Sequence, residues 1–246
     1  MFSLTLADAD VLKDAVSIIA DIIDEGTFRV DKNGLSLLAP DRTMVSVVDF
    51  RMPASMFEEC SADAEASFGV NLANFVAVLK RAKSGDRLVL AQKGNRLSIS
   101  IGRGRQFELP ILDISAEKPP VDQLNYAARV ELDAALIEDG IADADVIGDS
   151  VFFEATPELF RVSAKGEVSA AEVELSKKDK GVLKLQVSEP LKAQYPLEYL
   201  KKMVKAAKLV KQVSLELGND YPLRMTFQAQ DKVHLSFILA PRVSEQ

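Results

Sequence analysis

Residues 71–83 and 196–208 match position by position at a constant separation, and this internal repeat limits the folds open to the chain more than any other feature. Leu72 falls on Leu197, Lys80 on Lys205, Ala82 on Ala207 and Lys83 on Lys208, an offset of 205 − 80 = 125. The same shift, without a gap, sets Asp14 on Asp139, Ile22 on Ile147, Asp24 on Asp149, Phe28 on Phe153, Ala39 on Ala164 and Leu90 on Leu215. The offset is close to half of the 246 residues, so the sequence reads as a tandem duplication.

Each copy carries the same order of elements. In the first, Leu12, Ala15, Val16, Ile19, Ile22 and Ile23 form a helical stripe within Asp8–Ile23. Extended segments follow at 27–30, 34–38 and 44–50, then a helix from Asn71 to Lys83, then alternating strands at 87–91, 96–101 and 106–112. The second copy predicts a helix at 133–145, strands at 150–155, 159–164, 170–175 and 183–188, a helix from Pro196 to Lys208, and strands at 212–217, 223–229 and 232–239. The fold class is therefore α+β, with two similarly folded domains of sheet plus two helices each, at 1–114 and 127–246. Between them, 115–126 contains Pro119-Pro120, which removes backbone donors and favours an extended path. A long internal loop fits these residues as well; the repeat offset favours an exposed linker.

Composition narrows the function. No apolar run approaches the roughly 18 residues of a membrane span, and the N-terminal MFSLTLADAD has neither basic leader nor apolar signal core, so an intracellular, cytoplasmic protein is expected. A single cysteine, Cys60, and a single histidine, His234, leave no Cys/His metal cluster and no disulfide. No metal or cofactor is expected. The net charge of −7 argues against a nucleic-acid binder on global grounds, so any such contact must come from local patterning.

One segment has that patterning. Lys201, Lys202, Lys205, Lys208 and Lys211 lie in a stretch without acids. Leu197, Leu200, Val204 and Ala207 recur at helical steps and are expected to face a core, leaving Lys201, Lys205 and Lys208 as a neighbouring stripe. The repeat places Lys80 and Lys83 on the equivalent stripe, with Arg81 further round. A lysine-rich helix face is most often just solvated; two matched stripes weigh the other way. Against them, 133–145 carries Asp133, Glu138, Asp139, Asp143 and Asp145 without a basic residue, and Asp8–Ile23 offers only Lys13.

Enzyme readings fit poorly. Asp139 and Asp143 are more simply solvated helix charges, and His234 in a strand pattern is a structural residue. Gly102-Arg103-Gly104-Arg105 lacks the spacing of a phosphate loop and reads as a turn.

Five ordered stretches, Gly34–Val48, Gly69–Leu72 leading into Leu79–Ala82, Tyr199-Leu200 leading into Lys205-Ala206, Tyr221–Leu223 and Leu239–Val243, resemble the proliferating cell nuclear antigen type of sliding clamp, particularly the archaeal form. The resemblance covers essentially the whole chain. It implies a non-catalytic processivity factor, three subunits closing a pseudo-sixfold ring around duplex DNA, with helices inside and sheets outside. It implies three identical chains, or related ones in a heterotrimer; a ring-less interaction module of the same fold or a specialised paralogue is the alternative. The implied partners are double-stranded DNA without sequence preference, DNA polymerase, ligase, flap nuclease and a clamp loader, in a nucleoid-associated setting. Lys13, Lys80, Arg81, Lys83, Lys201, Lys202, Lys205 and Lys208 would face DNA. The resemblance maps a partner-docking pocket onto Met44, Val45, Val47, Val121, Leu124, Pro222, Leu239, Ala240 and Pro241, although plain strand core accounts equally for Val45 and Val47. Subunits would join by edge pairing of Gln106, Phe107, Leu109 and Ile111 with Ala171 and Val173 of the next chain.

Overall fold

A computed structural model describes residues 1–62, 65–114 and 119–242; Ser115–Lys118 of the expected linker and Val243 lie outside the described residues. The chain divides into two compact units, Met1–Pro119 with Ala229–Leu235 and Pro120–Gln228 with Ser236–Gln246.

The first run of elements is β1 (Phe2–Leu6), α1 (Asp10–Ala20), β2 (Glu25–Asp31), β3 (Gly34–Pro40), β4 (Ser46–Pro53), β5 (Glu59–Ala62), β6 (Ala66–Asn71), α2 (Leu72–Leu79), β7 (Leu88–Lys93), β8 (Arg96–Ile101) and β9 (Arg105–Pro110). The second is β10 (Ala128–Asp133), α3 (Ala134–Asp145), β11 (Ser150–Ala155), β12 (Leu159–Lys165), β13 (Ala170–Ser176), β14 (Val182–Val187), β15 (Leu191–Pro196), α4 (Leu197–Met203), β16 (Gln212–Leu217), β17 (Leu223–Ala229) and β18 (Val233–Leu239). The two runs order their strands alike. β5-β1-β7-β8-β9 corresponds to β14-β10-β16-β17-β18, and β6-β2-β3-β4 to β15-β11-β12-β13.

The sequence offset survives as pairing register. Phe28 lies opposite Leu37 and Phe68, while Phe153 lies opposite Val162 and Ala193, each partner displaced by the same 125. A one-residue slip would turn every core side chain outward, so this agreement means that both copies bury the same positions. Phe28 is fully buried and stacks on Phe68 at 5.3 Å, with Phe75 of α2 edge-on at 5.8 Å. Phe153 sits 5.6 Å from Phe160 and 5.5 Å from Tyr195. Each such ring contributes roughly 1.5–3 kcal/mol by leaving water.

The helices cover these cores by their apolar stripes. α1 buries Leu12, Ala15, Val16, Ile18 and Ile19 and packs on α2; α3 buries Ile137, Ile141 and Ala144 and packs on α4 and β12. Gly140 lets α3 approach closely, since a Cβ there would stand 3.2 Å from Val162 Cγ1.

The repeat and both helix pairs agree with the sequence expectation, but five strands escaped it: β1, β5, β6, β10 and β15. Both second helices are also shorter than their patterns. α2 stops at Leu79 instead of Lys83, and α4 tightens at Val204 into a 3-10 segment, Val204–Lys208. With three residues per turn, that segment buries Ala206 and leaves Ala207 half-buried, correcting the expectation that Ala207 faces the core. The strand expected at 106–112 ends at Pro110. Ile111 N–H donates to Asn95 O at 3.1 Å and Leu112 N–H to Gly69 O at 2.8 Å, so the chain leaves β8 for β6. Glycine is required at position 69, because a Cβ there would meet Leu112 O at 2.3 Å.

Candidate functional site

In the first unit the basic positions gather at the end of α2. Asn71 caps its start by accepting from Asn74 N–H at 3.0 Å. Its end is drawn tight by Arg81 N–H to Val78 O and Ala82 N–H to Leu79 O, both 2.9 Å. This turns Ala82 inward and leaves Lys80, Arg81 and Lys83 exposed. Lys13, on α1, stands apart from them: it is ion-paired with Asp10 and largely covered, so it offers little free charge.

The second unit repeats the arrangement with a longer tail. Lys201, Lys205 and Lys208 are exposed along α4 and its 3-10 extension, where Lys205 and Lys208 share one face at a three-residue step. Lys202 is half-buried with its ammonium 5.4 Å from the Tyr199 ring. Lys201 pairs with Asp145 of α3 at 2.7 Å, so the acidic helix is partly neutralised by its neighbour. Glu138, Asp139 and Asp143 stay exposed on α3. The cations are thus carried on the second helix of each pair, beside an acidic first helix.

β9 and β13 are among the strands that end their sheets. β9 pairs with β8 alone and β13 with β12 alone among the described ladders. Phe107, Leu109, Ala171 and Val173 are half-buried and Gln106 is exposed, whereas Ile111 has left the strand and does not extend that edge. Arg161 reaches across β12 to Glu154, Glu172 and Glu174, screening the acids of β13.

Of the expected docking residues, Met44 is 69% exposed, Val45 and Val47 are half-buried, and Met44 adopts a positive φ of 59°. In the second unit Leu239 is fully buried, while Leu124, Pro222, Ala240 and Pro241 are half-buried. Leu239 is therefore core. Val121 is 7% exposed, which corrects the picture of 115–126 as a wholly exposed linker. The cause is a contact invisible in the sequence. Arg224 Nη2 donates to Val121 O at 2.8 Å, and its guanidinium carbon lies 5.5 Å from the Tyr126 ring centre. Tyr126 in turn packs edge-on to Tyr221 at 5.8 Å, and Tyr221 accepts from Asn125 N–H at 3.4 Å. Burial pushes the Tyr126 phenol up to about 12. Arg224 and the two tyrosines thus fix the path of 121–126 beside Pro222. Tyr221 lies in one of the stretches that carried the resemblance, but no pattern in the sequence marked Arg224 or its contact with Tyr126.

Among the described residues, no group of three or more His, Cys, Asp or Glu side chains is placed to hold a metal ion. No helix is long and apolar enough to cross a membrane.

Residues 1–103 match the family model described as Proliferating cell nuclear antigen, N-terminal domain, and 120–242 match the corresponding C-terminal domain. The DNA polymerase sliding clamp of Pyrococcus horikoshii is 34% identical over 99% of this chain and 99% of its own. The DNA polymerase sliding clamp 1 of Thermococcus kodakarensis is 32% identical with the same coverage. A crystal structure of PCNA from Thermococcus kodakaraensis matches with a TM-score of 0.91 at 28% identity, covering 98% of this chain and 100% of that one.

Proposed function

The chain belongs to the proliferating cell nuclear antigen family, and from that membership we infer that it is a DNA polymerase sliding clamp: a ring that encircles duplex DNA and holds a polymerase to its template. The observation that carries the mechanism is the matched placement of exposed cations, Lys80 and Lys83 in one unit and Lys205 and Lys208 in the other, at the ends of equivalent helices. Three subunits repeat this pattern six times around the duplex.

The physics suits sliding. Lysine is a flexible point charge that meets phosphate without fixed geometry, and phosphate contacts carry no sequence information. Retention comes from topological linkage, so each contact can stay weak enough to exchange. The exposed acids of α3 limit the attraction further. Binding is the chain's role, and its chemistry is left to the enzymes it tethers inside the cell.

Subunits join through β9 of one chain and β13 of the next, which also covers two sheet edges prone to aggregation. The docking surface takes a short apolar and aromatic anchor from a partner's tail, and in the second unit the Arg224-held segment beside Pro222 is suited to receive it. Leu239 supports it from the core. Ligase, flap nuclease and clamp loader are the further partners of this surface.

Primer extension under single-encounter conditions, with the clamp loaded beside the cognate replicative polymerase, tests this reading. Tethering makes rebinding intramolecular, so product length per encounter is expected to rise about 10²-fold. Arg224→Ala frees Val121 and is expected to cost the polymerase about 1.5–3 kcal/mol of clamp affinity, with particle mass unchanged. Product lengths indifferent to the clamp would contradict the reading.

A further inference from the structure

The Gly102–Arg105 turn is the one string singled out in the sequence that the clamp reading leaves without a use. It connects β8 to β9, and its last residue turns back toward α2. Arg105 Nη1 donates to Arg81 O at 2.6 Å, and Nη2 donates to Asp86 Oδ2 at 2.6 Å. The same carboxylate oxygen accepts Lys83 N–H at 2.7 Å. One guanidinium and one carboxylate therefore close a clip around the backbone of the basic loop. A second tie comes from α1, where Asp10 Oδ2 accepts from Ser84 Oγ at 2.6 Å.

We infer that Arg105 and Asp86 are positioning residues that hold Lys80, Arg81 and Lys83 in the arrangement that meets the DNA backbone. The inference rests on the DNA-facing reading of those three cations. α2 has only eight residues, and among the described residues 80–87 belong to no strand. Left loose, such a loop would have to be ordered on binding at a cost in conformational entropy; the clip orders it in advance. Arginine suits the position because its planar fork spans a carbonyl and a carboxylate at once, which an ammonium on a flexible stem does not. The turn is built for this approach. Gly102 has φ +55°, and a Cβ there would stand 2.8 Å from Asp86 Oδ1 and 3.2 Å from Arg105 Nη2. The Lys83 N–H, and then Arg105, hold the Asp86 carboxyl below its usual range.

The second copy does without the clip. Its counterpart of Asp86, at 86 + 125 = 211, is Lys211. There the tail of α4 is a regular 3-10 segment whose own i to i+3 bonds keep Lys205 and Lys208 in line.

The test uses the full chain with Arg105→Ala, Arg105→Lys and Asp86→Asn, each checked for particle mass. Amide hydrogen exchange at 80–86 reads loop order without DNA, and the salt dependence of loaded-clamp retention reads its use. Asp86→Asn removes the charge from the acceptor of the Lys83 N–H, and Arg105→Ala releases that acceptor from its clip, so both are expected to speed exchange at Lys83, about tenfold for a loss of about 1.4 kcal/mol. Both are expected to lower the slope of log retention against log salt by about 0.9 for each phosphate that the loop no longer neutralises. Arg105→Lys restores the charge but not the bond to Arg81 O, so its exchange stays fast. Unchanged exchange at Lys83, or a ring that falls apart with the loop still protected, overturns the positioning role. Fast exchange with an unchanged salt slope overturns the link to DNA. A Lys80→Ala/Lys83→Ala variant with the wild-type salt slope sinks the DNA-facing reading itself, and with it that link, whatever Arg105→Ala does to exchange.

Discussion

Leu109→Asp combined with Val173→Asp is expected to turn a particle three times the 26.9 kDa chain into single chains at micromolar concentration. β9 and β13 each carry one row of backbone groups without a partner strand among the described residues, and Leu109 and Val173 are half-buried along them. If the proposed edges meet, main-chain hydrogen bonds would form across the seam and these side chains would leave water together. The substitutions place a carboxylate on each side of that seam, next to Glu108, Glu172 and Glu174. A buried charge without a counter-ion costs several kcal/mol, and every seam would hold two. Light scattering after chromatography measures the mass, and circular dichroism confirms that both units stay folded. A folded double variant that keeps the wild-type mass would show that the subunits meet elsewhere.

The second large effect is on DNA. Replacing Lys80, Lys83, Lys205 and Lys208 together by alanine removes the matched cations of both units while leaving the cores untouched, since all four are exposed. Each lysine that meets a phosphate contributes about one unit to the slope of log affinity against log salt. With three subunits, even partial engagement makes the combined effect several units of slope. The variant is expected to run off linear duplex far faster than the wild type at low salt, with the two converging at high salt, where screening has already removed the attraction. Equal retention at low salt would mean that these lysines are merely solvated. Lys13 and Lys201 serve as internal comparisons: both are already ion-paired, to Asp10 and Asp145, and their removal is expected to change the slope little.

The duplication was legible because core spacing survives even where identity does not. The shift that aligns Phe28 with Phe153 is the same one that aligns their strand partners. The missed strands were not legible for different reasons. Glu59–Ala62 is only four residues long, and its alternation rests on the small side chains of Cys60 and Ala62, so its pairing with β1 is what marks it as a strand. Ala66–Asn71 and Leu191–Pro196 run directly into helices whose stronger periodicity masks them. Ala128–Asp133 is likewise followed at once by α3. The helix stripe over 196–208 misplaced Ala207 because nothing local announces the change to a 3-10 spacing. Among the site residues, a cation's presence could be read but not its pairing. Arg224 and Arg105 act through the carbonyls of Val121 and Arg81, more than 20 positions away, and only the fold brings those atoms within 2.8 and 2.6 Å.

A sliding clamp is linked to DNA without gripping it, and topology separates the two. Clamps loaded onto closed circular duplex and then washed at high salt should stay on the circle, because salt screens the phosphates but does not open the ring. A single cut that makes the same molecule linear should release them within the time needed to slide off an end. Release from circle and linear duplex at the same rate would contradict linkage, since a protein held only by its charges has no reason to notice whether the DNA has ends.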